Sequence, residues 1–404
     1  MKRRIVITSM GVISSLGKTP GEIQTALKTK QVSFVRPEYD RDVVVSPVMD
    51  FDLKAYTGPF KERRYLNRGA AFALAAALET VRRSGLVKGD FSEAGLFVGA
   101  GPHLDIGGEF PDIENGRMGR NNLDALWILR FLPNTAASLI AQSLGIRGEN
   151  LTVGTACAAA LSSIGEAFRR IRDGYLDCAL AGGGDSRLNP GGTLAYKNAG
   201  ALCRGEGAPE EASRPFDRDR KGFIAGEGGA FFLLEERDRA LERGAHIWAE
   251  VAGYGSSIDG YRMTAPAPDG KAATGAVRHA MAEAEISTEE IDFIVTHGTG
   301  TVLNDQVEAK IIRDLFPGKT PAVIALKSWI GHLSTACGAV ELAIALAGQA
   351  VGYLPEIRNL KHPCAPEIDF VREGRQTAGR AFLIENFGFG GQNAALVIKR
   401  PENE

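Results

Sequence analysis

Short apolar runs rich in β-branched residues alternate along the chain with longer, alanine-rich segments of helical periodicity. Strands that alternate with helices are typical of mostly parallel sheets with helices packed on their faces, so the pattern predicts an α/β fold. The predicted strands cover residues 3–11, 94–101, 151–156, 177–186, 246–255, 291–300, 323–326 and both ends of 382–399, and the predicted helices cover 69–85, 137–145, 157–174, 272–285 and 334–352.

The second half of the chain is similar to the first. The segments 94–101 and 291–300 are both strands that end in glycines, and Thr-Ala-Cys occurs at 155–157 and again at 335–337. Two explanations stay open, an internal duplication and chance matches between alanine-rich helices. The charged run EERDRALERGA suggests a boundary between two docked domains, which we predict to be residues 1–244 and 245–404.

Charge and hydropathy exclude several classes of protein. The 404 residues include 47 Lys and Arg against 49 Asp and Glu, without the basic excess of a nucleic-acid or membrane-surface binder. The longest apolar stretch, 70–78, is far short of the roughly 18 residues that span a bilayer, and the N-terminal apolar run is too short for a secretory signal. We therefore expect a cytoplasmic protein with no nucleic-acid or membrane partner.

Cysteine and glycine usage narrow the picture further. The five cysteines are an odd number without CxxC spacing, so we predict neither a disulfide framework nor a metal site. Glycine, at 49 of 404 residues, is about 12% of the chain against about 7% on average. This excess predicts many tight junctions between strands and helices.

Cys157 is the first candidate for chemistry. It follows the β-branched run Leu-Thr-Val and opens the predicted helix 157–174. The free N–H groups and the positive dipole end of a helix N-terminus lower the pKa of a thiol, so we expect thiolate near neutral pH. The alternative is an inert cysteine that packs as a small hydrophobe.

Two histidines lie where ligands approach an open α/β sheet, at strand-to-loop edges beside glycine. His297 lies within HGTGT at the end of the strand 291–300, and His332 lies just before the helix 334–352. They are candidate site residues, with a hydrogen-bonded structural role as the alternative for either. The other four histidines, His103, His246, His279 and His362, lack such a setting and are predicted to be structural.

Two charged residues accompany the histidines. Lys327 follows the strand 323–326, where its cation would adjust the pKa of a neighbour or lie at the surface. Glu341 lies in an otherwise apolar helix and needs a partner, because unpaired burial of a carboxylate is costly, so we expect a structural ion pair. The glycine-rich segment FGFGGQN at 387–393 either aims N–H groups at an anion or forms a tight hairpin turn.

Six segments together resemble the β-ketoacyl synthases, the condensing enzymes of fatty-acid and polyketide synthesis. They occur in the order and at the spacing of that family over nearly the whole chain. The segments are GTACAAA around Cys157, SRPFDRDRKGFIAGEGGA (213–230), MTAPAPDG (263–270), THGTGTVLND (296–305), KSWIGHLSTACGAVE (327–341) and NFGFGGQN (386–393). The resemblance implies a thiolase-like α/β fold, with two related halves stacked into a five-layered αβαβα core. The first half would carry the nucleophile and the second the histidine pair.

The resemblance also implies catalytic roles. Cys157 matches the nucleophile that accepts the acyl chain, and His297 and His332 match the pair that assists malonyl decarboxylation. Lys327 matches the lysine that supports this pair. Glu341 matches the acidic residue that the family places behind the site.

Further residues resemble the family's substrate-binding positions. Thr299 and Thr301 match the hydroxyls that hydrogen-bond the carrier's pantetheine arm. Phe389, followed by Gly390, matches the mobile gate, whose N–H would form an oxyanion hole with that of Cys157. The implied partner is an acyl carrier protein whose phosphopantetheine carries the substrates, and no other cofactor is implied. A homodimer is usual in the family, and a heterodimer with a related ketosynthase subunit is the alternative.

Some positions depart from the family pattern. Ala158–Ala160 follow the nucleophile where Ser-Ser or Ala-Thr-Gly is usual, Thr335 stands where glycine is common, and Gln392 replaces a threonine. These departures concern the substrate more than the reaction. The basic segment KERRYLNR supplies Lys61, Arg63, Arg64 and Arg68, which form either a docking patch for an acidic carrier or a solvated helix start.

The predicted function is that of a 3-oxoacyl-[acyl-carrier-protein] synthase, which condenses an acyl thioester with malonyl-carrier protein by decarboxylative Claisen chemistry. A non-catalytic subunit similar to a chain-length factor is the alternative, and the retained Cys157 argues against it. A Cys–His hydrolase fits poorly, because no orienting Asn or Asp motif accompanies the histidines.

Overall fold

The computed structural model describes residues 2–102, 126–204 and 207–401, and the backbone of two short strands within 113–118. Its strands are β1 (Ile5–Ile13), β2 (Val45–Ser46), β3 (Gly95–Gly99), β4 (Ile113–Glu114), β5 (Arg117–Met118), β6 (Asn150–Val153), β7 (Cys178–Ser186), β8 (Ala225–Glu236), β9 (Ala249–Ile258), β10 (Phe293–Val295), β11 (Ala322–Ile324), β12 (Tyr353–Leu354), β13 (Arg375–Gln376), β14 (Ala381–Gly388) and β15 (Gln392–Lys399). Its α-helices are α1 (Pro20–Thr29), α2 (Lys54–Thr57), α3 (Arg68–Ser84), α4 (Thr135–Leu144), α5 (Ala159–Arg172), α6 (Pro190–Asn198), α7 (Arg237–Glu242), α8 (Lys271–Glu283), α9 (Val302–Leu315), α10 (Lys327–Ile330) and α11 (Cys337–Ala350).

Two sets of five strands follow the same order. The sheet of the N-terminal half runs β6–β3–β7–β8–β1, and that of the C-terminal half runs β11–β10–β14–β15–β9. If the five strands of each half are numbered along the chain, both sheets have the order third, second, fourth, fifth and first. Equivalent pairs of strands are also parallel or antiparallel in both halves. This agreement supports an internal duplication rather than chance similarity. A short antiparallel pairing of β1 with β9 joins the two sheets.

The expectation of mostly parallel sheets is wrong in part. Within each half the two pairings that involve the second strand are parallel, whereas the fourth strand pairs antiparallel with the fifth and the fifth with the first. The physical reason is clearest at β14 and β15, where only residues 389–391 join the strands. So short a loop permits a hairpin but not the crossover that a parallel pair requires.

Three apolar clusters reveal five layers. Helices α3 and α4 pack on one sheet, α5 and α11 lie between the two sheets, and α8 and α9 cover the other sheet. Successive side chains of a strand point to opposite faces of the sheet, so neighbouring residues belong to different clusters. On β8, Phe232 and Leu234 belong to the central cluster, and Phe231 and Leu233 belong to the outer one. The five-layered αβαβα core is confirmed.

The repeated Thr-Ala-Cys is not the structural repeat. A 3₁₀ turn at Ala156–Ala158 leads into α5, and an equivalent turn at Ser334–Ala336 leads into α11. Their first residues have similar positive φ angles of 47° and 50°. Thr335, rather than Cys337, therefore occupies the position equivalent to Cys157. The tripeptide match is two residues out of register.

Within the parts of the chain that the structure describes, no helix has the length and apolar character needed to cross a bilayer. The predicted boundary between 244 and 245 falls between α7 and β9. The division into domains there stays a prediction.

Candidate active site

Residues from both halves meet where strands end. Cys157 follows β6, His297 follows β10, Lys327 and His332 follow β11, and Phe389 follows β14. Because the carboxyl ends of parallel strands open toward one edge, these loops converge. The Sγ atom of Cys157 and a ring nitrogen of each histidine lie within 4.8 Å of one another, and all three residues are buried.

Cys157 lies in the middle of a strained turn. The preceding Ala156 has a φ of 47°, a left-handed conformation that residues with a side chain seldom adopt, so the chain bends sharply before α5. The predicted lowering of the thiol pKa is wrong. Burial raises the pKa of Cys157 to about 11, and the N–H of Phe389 and the Lys327 ammonium oppose this only in part. Desolvation of the thiolate thus outweighs the favourable helix dipole, and the resting thiol is protonated at neutral pH.

His332 is held with its proton on Nε2. The backbone N–H of Ser334 donates to Nδ1 over 2.9 Å, so Nδ1 is the unprotonated nitrogen. Burial and the Lys327 ammonium lower the pKa of His332 to about 3, which keeps the ring neutral. The ring of Phe223 packs against the imidazole at 4.7 Å, and the backbone N–H of His332 donates to Ile224 at 2.6 Å. The residue therefore offers a fixed Nε2–H donor.

His297 has the same tautomer for a similar reason. The Nδ2 atom of Asn386 lies 3.3 Å from Nδ1 of His297, and an amide NH₂ can only donate. Burial, Lys327 and His332 lower the pKa of His297 well below its ordinary value of 6.5. The two imidazoles, with centroids 5.5 Å apart and planes at 82°, are thus neutral rings that both carry the proton on Nε2.

A buried ion pair supports both rings. The Nζ atom of Lys327 donates to Oε1 of Glu341 over 2.7 Å, with side-chain exposures of 1% and 0%. Although burial by itself lowers the pKa of Lys327, the Glu341 carboxylate raises it above its ordinary value, so the lysine stays charged. Asn386 donates to the other oxygen of Glu341 at 3.0 Å and links the pair to His297. Sequence reasoning missed Asn386, although it lies within NFGFGGQN.

Two carboxylates on α9, also missed from the sequence, hold the His297 loop. Asp305 and Glu308 are three residues apart and share one face of the helix. Glu308 accepts the N–H groups of His297 at 2.6 Å and Gly298 at 2.8 Å, and Asp305 accepts the next two N–H groups of the loop. The signal for them was the Asp-x-x-Glu spacing just after HGTGT, in a helix that the periodicity did not reveal.

A third buried carboxyl, that of Glu385, supports this arrangement. Burial raises the pKa of Glu308 to about 7, and burial together with Glu308 raises the pKa of Glu385 well above 4.5. A proton kept by Glu385 lets this carboxyl donate to Glu308. Glu308 lies on α9 and Glu385 lies on β14, so the contact between these two carboxyl groups joins the helix to the strand behind His297.

A pocket of about 400 Å³ connects Cys157 with the surface. Thr299 and Thr301 line it, with their hydroxyl oxygens 2.9 Å apart. Val302 and Leu303, at the start of α9, also line it and are 55% and 58% exposed. The pocket thus has a polar stretch near the reactive groups and an apolar rim.

The predicted gate lies over the thiol. The N–H of Phe389 donates to the sulfur of Cys157, and a Cβ atom added to Gly388 would lie 3.0 Å from the Cys157 nitrogen. Gly390 has a φ of 82° and donates its N–H to the carbonyl of Met263 at 2.7 Å. The predicted mobility of this loop stays a prediction, as do the roles assigned to the site residues.

The remaining histidines do not join the site. His246, His279 and His362 do not line the pocket, and His246 packs edge-on against Trp248. His103 lies outside the described residues.

Cys157, His297 and His332 are also close enough together to be considered as metal ligands. The Lys327 ammonium argues against a cation there, because its charge already lowers the pKa of both histidines and would repel a metal ion. A nucleophile flanked by two hydrogen-bond donors is suited instead to acyl transfer, in which negative charge develops on oxygen.

Replacing Lys327 with methionine strands the Glu341 carboxylate in the core, and we expect the free energy of unfolding to fall by about 3–5 kcal/mol. The double variant Lys327→Met, Glu341→Met removes both charges and should recover most of that loss. Urea denaturation followed by circular dichroism measures both. Equal destabilisation of the single and double variants would contradict the ion-pair interpretation.

Comparison with known proteins agrees with this geometry. The N-terminal domain of the β-ketoacyl synthase family matches residues 2–240, and its C-terminal domain matches residues 248–361. The 3-oxoacyl-[acyl-carrier-protein] synthase 2 of Vibrio cholerae is 34% identical over 99% of both chains.

Two solved structures have the same architecture. One is the ishigamide ketosynthase/chain length factor, 30% identical over 100% of both chains with a TM-score of 0.87. The other is a type II polyketide ketosynthase, AntDE, in complex with its acyl-carrier protein AntF and bound to the hexaketide. It is 26% identical to this chain with a TM-score of 0.87, and the match covers 99% of this chain and 100% of the AntDE chain. With both family domains matched in order and the buried cysteine meeting two histidines between them, the chain belongs to the β-ketoacyl synthase family.

Proposed function

We propose that this β-ketoacyl synthase condenses an acyl thioester with a malonyl thioester on an acyl carrier protein, releasing CO₂ and a 3-oxoacyl thioester. The observation that carries the proposal is the buried Cys157 sulfur within 4.8 Å of two imidazoles. Hydrogen bonds to Nδ1 leave both rings with Nε2–H donors. The relatives include a 3-oxoacyl-[acyl-carrier-protein] synthase and a type II polyketide ketosynthase, and the same reaction serves fatty-acid and polyketide synthesis.

The first half-reaction transfers the acyl group to Cys157. The sulfur attacks the thioester carbonyl, the carbon–sulfur bond to pantetheine breaks, and the departing thiol takes the proton that Cys157 gives up. The tetrahedral intermediate carries negative charge on oxygen, and we expect the Phe389 N–H, which lies beside the sulfur, to stabilise it. One such donor is worth roughly 3–4 kcal/mol. Because the thiol pKa is high, acylation depends on this stabilisation of charge more than on a resting thiolate.

The second half-reaction is decarboxylation and carbon–carbon bond formation. The malonyl thioester oxygen accepts hydrogen bonds from His297 and His332, the bond to CO₂ breaks, and its electron pair forms an enolate. The enolate carbon attacks the acyl-Cys157 carbonyl, the bond from that carbon to the cysteine sulfur breaks, and the departing thiolate takes a proton from water to restore the thiol. The low pKa values suit the histidines to donate hydrogen bonds rather than to accept a proton, because neutral rings keep Nε2–H across the physiological range. No step in this scheme requires a metal or another cofactor.

The pocket supports a substrate delivered on a pantetheine arm. Its stretch from Cys157 past Thr299 and Thr301 ends in the exposed apolar Val302 and Leu303. Hydroxyls along such a channel can bind the amides of the arm, as the family resemblance implies. The AntDE ketosynthase, which is similar to this chain, is seen with its acyl-carrier protein.

A basic surface supports docking of an acidic carrier. Lys61, Arg63 and Arg64 lie on a 3₁₀ turn and line a hollow together with Lys54 and Arg130. Arg68, the fourth residue of the predicted patch, contributes less to the positive charge of this surface, because its guanidinium binds the buried Glu227 at 2.7 Å. The docking surface we propose is therefore centred on the turn.

We also propose that two copies associate through the edge of β6. This strand is last in the sheet order, so one side of its backbone has no partner strand among the described residues. Leu151 on this strand is 44% exposed, and Leu126 and Ile128, in the segment before α4, are 50% and 52% exposed. An unpaired edge with an exposed leucine favours pairing with another strand, and the exposed Leu126 and Ile128 add apolar surface to the same half of the chain. Association with a related subunit is the alternative, given the likeness to a ketosynthase/chain length factor.

Intact mass spectrometry with an acyl-carrier and then malonyl-carrier tests the reaction. The wild-type protein should gain the acyl mass on Cys157 and lose it as a 3-oxoacyl product, and Cys157→Ala should do neither. His332→Ala should still be acylated but lose roughly 10²–10³-fold in decarboxylation rate, because one oxyanion donor is removed. His279→Ala, exposed and outside the pocket, is the control. Normal condensation by His332→Ala would overturn the assigned role, and a wild-type protein that no primer acylates would overturn the function.

Charge reversal tests the carrier surface. Arg63→Glu with Arg64→Glu should raise the KM for malonyl-carrier about tenfold or more, and added salt should shrink the difference. Turnover with malonyl-pantetheine, which needs no docking, should not change. The matched control is Arg278→Glu with Arg313→Glu, on helices that cover the C-terminal sheet. An unchanged KM in the Arg63/Arg64 variant would contradict this docking surface.

Sedimentation velocity at micromolar concentration tests association. The wild-type protein should have twice the mass of one chain, and Leu151→Lys with Ile128→Lys should shift it toward the monomer by placing like charges across the interface. Leu241→Lys, on α7, is the control with an exposed leucine elsewhere. A monomeric wild-type protein would exclude the homodimer.

A further inference from the structure

Cys157 lies between two regions of different construction. On one side is the pocket lined by Thr299 and Thr301. Two charged groups of a second region, Asp185 and Arg187 at the end of β7, also act on the thiol. Tyr196 on α6 and Ser334 and Thr335 in the 3₁₀ turn before α11 complete this region, and none of the five residues lines the pocket.

This second region is polar although it is buried. Asp185, 1% exposed, accepts hydrogen bonds from Oγ1 of Thr335 at 2.8 Å and from its N–H at 3.2 Å. The hydroxyl of Tyr196 lies 3.1 Å from that of Ser334. The Nη2 atom of Arg187 donates to Asp185 at 3.3 Å. A charged pair and three hydroxyl-bearing side chains thus lie together beside the nucleophile.

Arg187 has donors to spare. It is 5% exposed, and its Nε has no hydrogen-bond partner among the described residues, although it lies 3.2 Å from Oδ1 of Asp185. A guanidinium has five N–H donors and no acceptor, so its Nε–H can pair only with an acceptor such as an oxygen. Leaving a buried donor unpaired costs free energy that a bound acceptor would recover.

The acyl group on Cys157 has to occupy the side away from the pocket. When the malonyl thioester enters, its pantetheine arm takes the Thr299 and Thr301 side, so an acyl chain already on the sulfur must leave that space. The Arg187 side is adjacent. A Cβ atom added to Gly101, two residues after β3, would lie 3.2 Å from Nη2 of Arg187 and 2.9 Å from Cγ2 of Thr335. The cysteine and the guanidinium also interact electrostatically.

We infer that Arg187 is a specificity-determining residue that hydrogen-bonds an oxygen near the thioester end of the acyl chain, so that the enzyme prefers 3-oxygenated over saturated acyl groups. The inference rests on the proposed condensing function and adds the substrate class. The Asp185 carboxylate neutralises the guanidinium, so the region suits a neutral carbonyl or hydroxyl better than a carboxylate. A 3-oxoacyl chain, the product of one condensation, would then re-enter without reduction, as in polyketide assembly.

The step itself is the acyl transfer already described. The Cys157 sulfur bonds to the carbonyl carbon of the 3-oxoacyl thioester, the pantetheine sulfur leaves, and the proton of Cys157 ends on that thiol. Arg187 contacts the 3-oxygen and takes no part in the proton transfer. Its effect is therefore on the choice of substrate.

Paired small thioesters test the inference. Purified protein is mixed with butyryl-pantetheine or 3-oxobutyryl-pantetheine, and the rate of mass gain on Cys157 is measured. The wild-type protein should favour the 3-oxo probe, and Arg187→Met should lower the 3-oxo to butyryl ratio by tenfold or more, since a site built around a hydrogen bond discriminates strongly against its loss. Arg187→Lys, which keeps the charge but loses the planar donors, should lie between. Arg243→Met, which breaks a remote ion pair with Glu235, should leave the ratio unchanged.

A further variant keeps the test valid if Arg187→Met does not fold. Asp185→Asn with Arg187→Met removes both charges and should show the same lowered ratio. An unchanged ratio in the folded Arg187 variants, or a wild-type preference for butyryl, would overturn the inference while leaving condensation intact. Failure of both probes together with failure of condensation would overturn the proposed function itself.

Discussion

An ammonium and a carboxylate enclosed in the core hold the site together. Lys327 follows β11, and Glu341 lies on α11, the helix between the two sheets, with 2.7 Å between their charged atoms. Each ion has lost its hydration, which costs several kcal/mol, so each needs the other in place. Asn386 on β14 extends the contact to His297 after β10. One buried pair thereby joins four elements of the C-terminal half around a single imidazole.

Burial is the main influence on the protonation states of Cys157, His297 and His332. It raises the pKa of the thiol and lowers the pKa of each imidazole. The pKa of the Cys157 thiol rises to about 11, whereas the pKa of His332 falls to about 3. The uncharged form is favoured in each case, because the charged form loses solvation. Such a site does not hold a ready thiolate with a basic imidazole beside it. Its catalytic power lies in fixed N–H donors directed to oxygens that become negative during the reaction.

In the reaction we propose, the two sides of Cys157 bind different substrates: the malonyl-carrier on the pocket side and the acyl chain on the Arg187 side. The side of the pocket opens to the surface, and its apolar rim suits a carrier protein. The Arg187 side is enclosed and polar, and it is where we place the chain under extension. Both sides use the duplicated architecture, since the N-terminal half supplies Cys157 and Arg187 and the C-terminal half supplies both histidines.

Much of this arrangement was readable from local sequence. Short apolar runs rich in β-branched residues, alanine-rich helices and glycines after strands predicted most elements, because each reflects short-range geometry and burial. The motifs around Cys157, His297, His332 and Lys327 identified four groups that the structure brings together. The sequence did not reveal β8, α9 or the antiparallel half of each sheet, because buried strands and helices of mixed polarity have no distinct period.

What the sequence determined by itself was the kind of chemistry, through residue types at fixed spacings in order along the chain. Only the tertiary structure decided the state of those residues. The thiol pKa rises rather than falls, and Thr335 rather than Cys337 mirrors Cys157. Asn386 holds His297 from a strand 89 residues away in sequence. Desolvation and hydrogen bonding depend on which distant segments close over a group, and a local pattern carries no information about that closure.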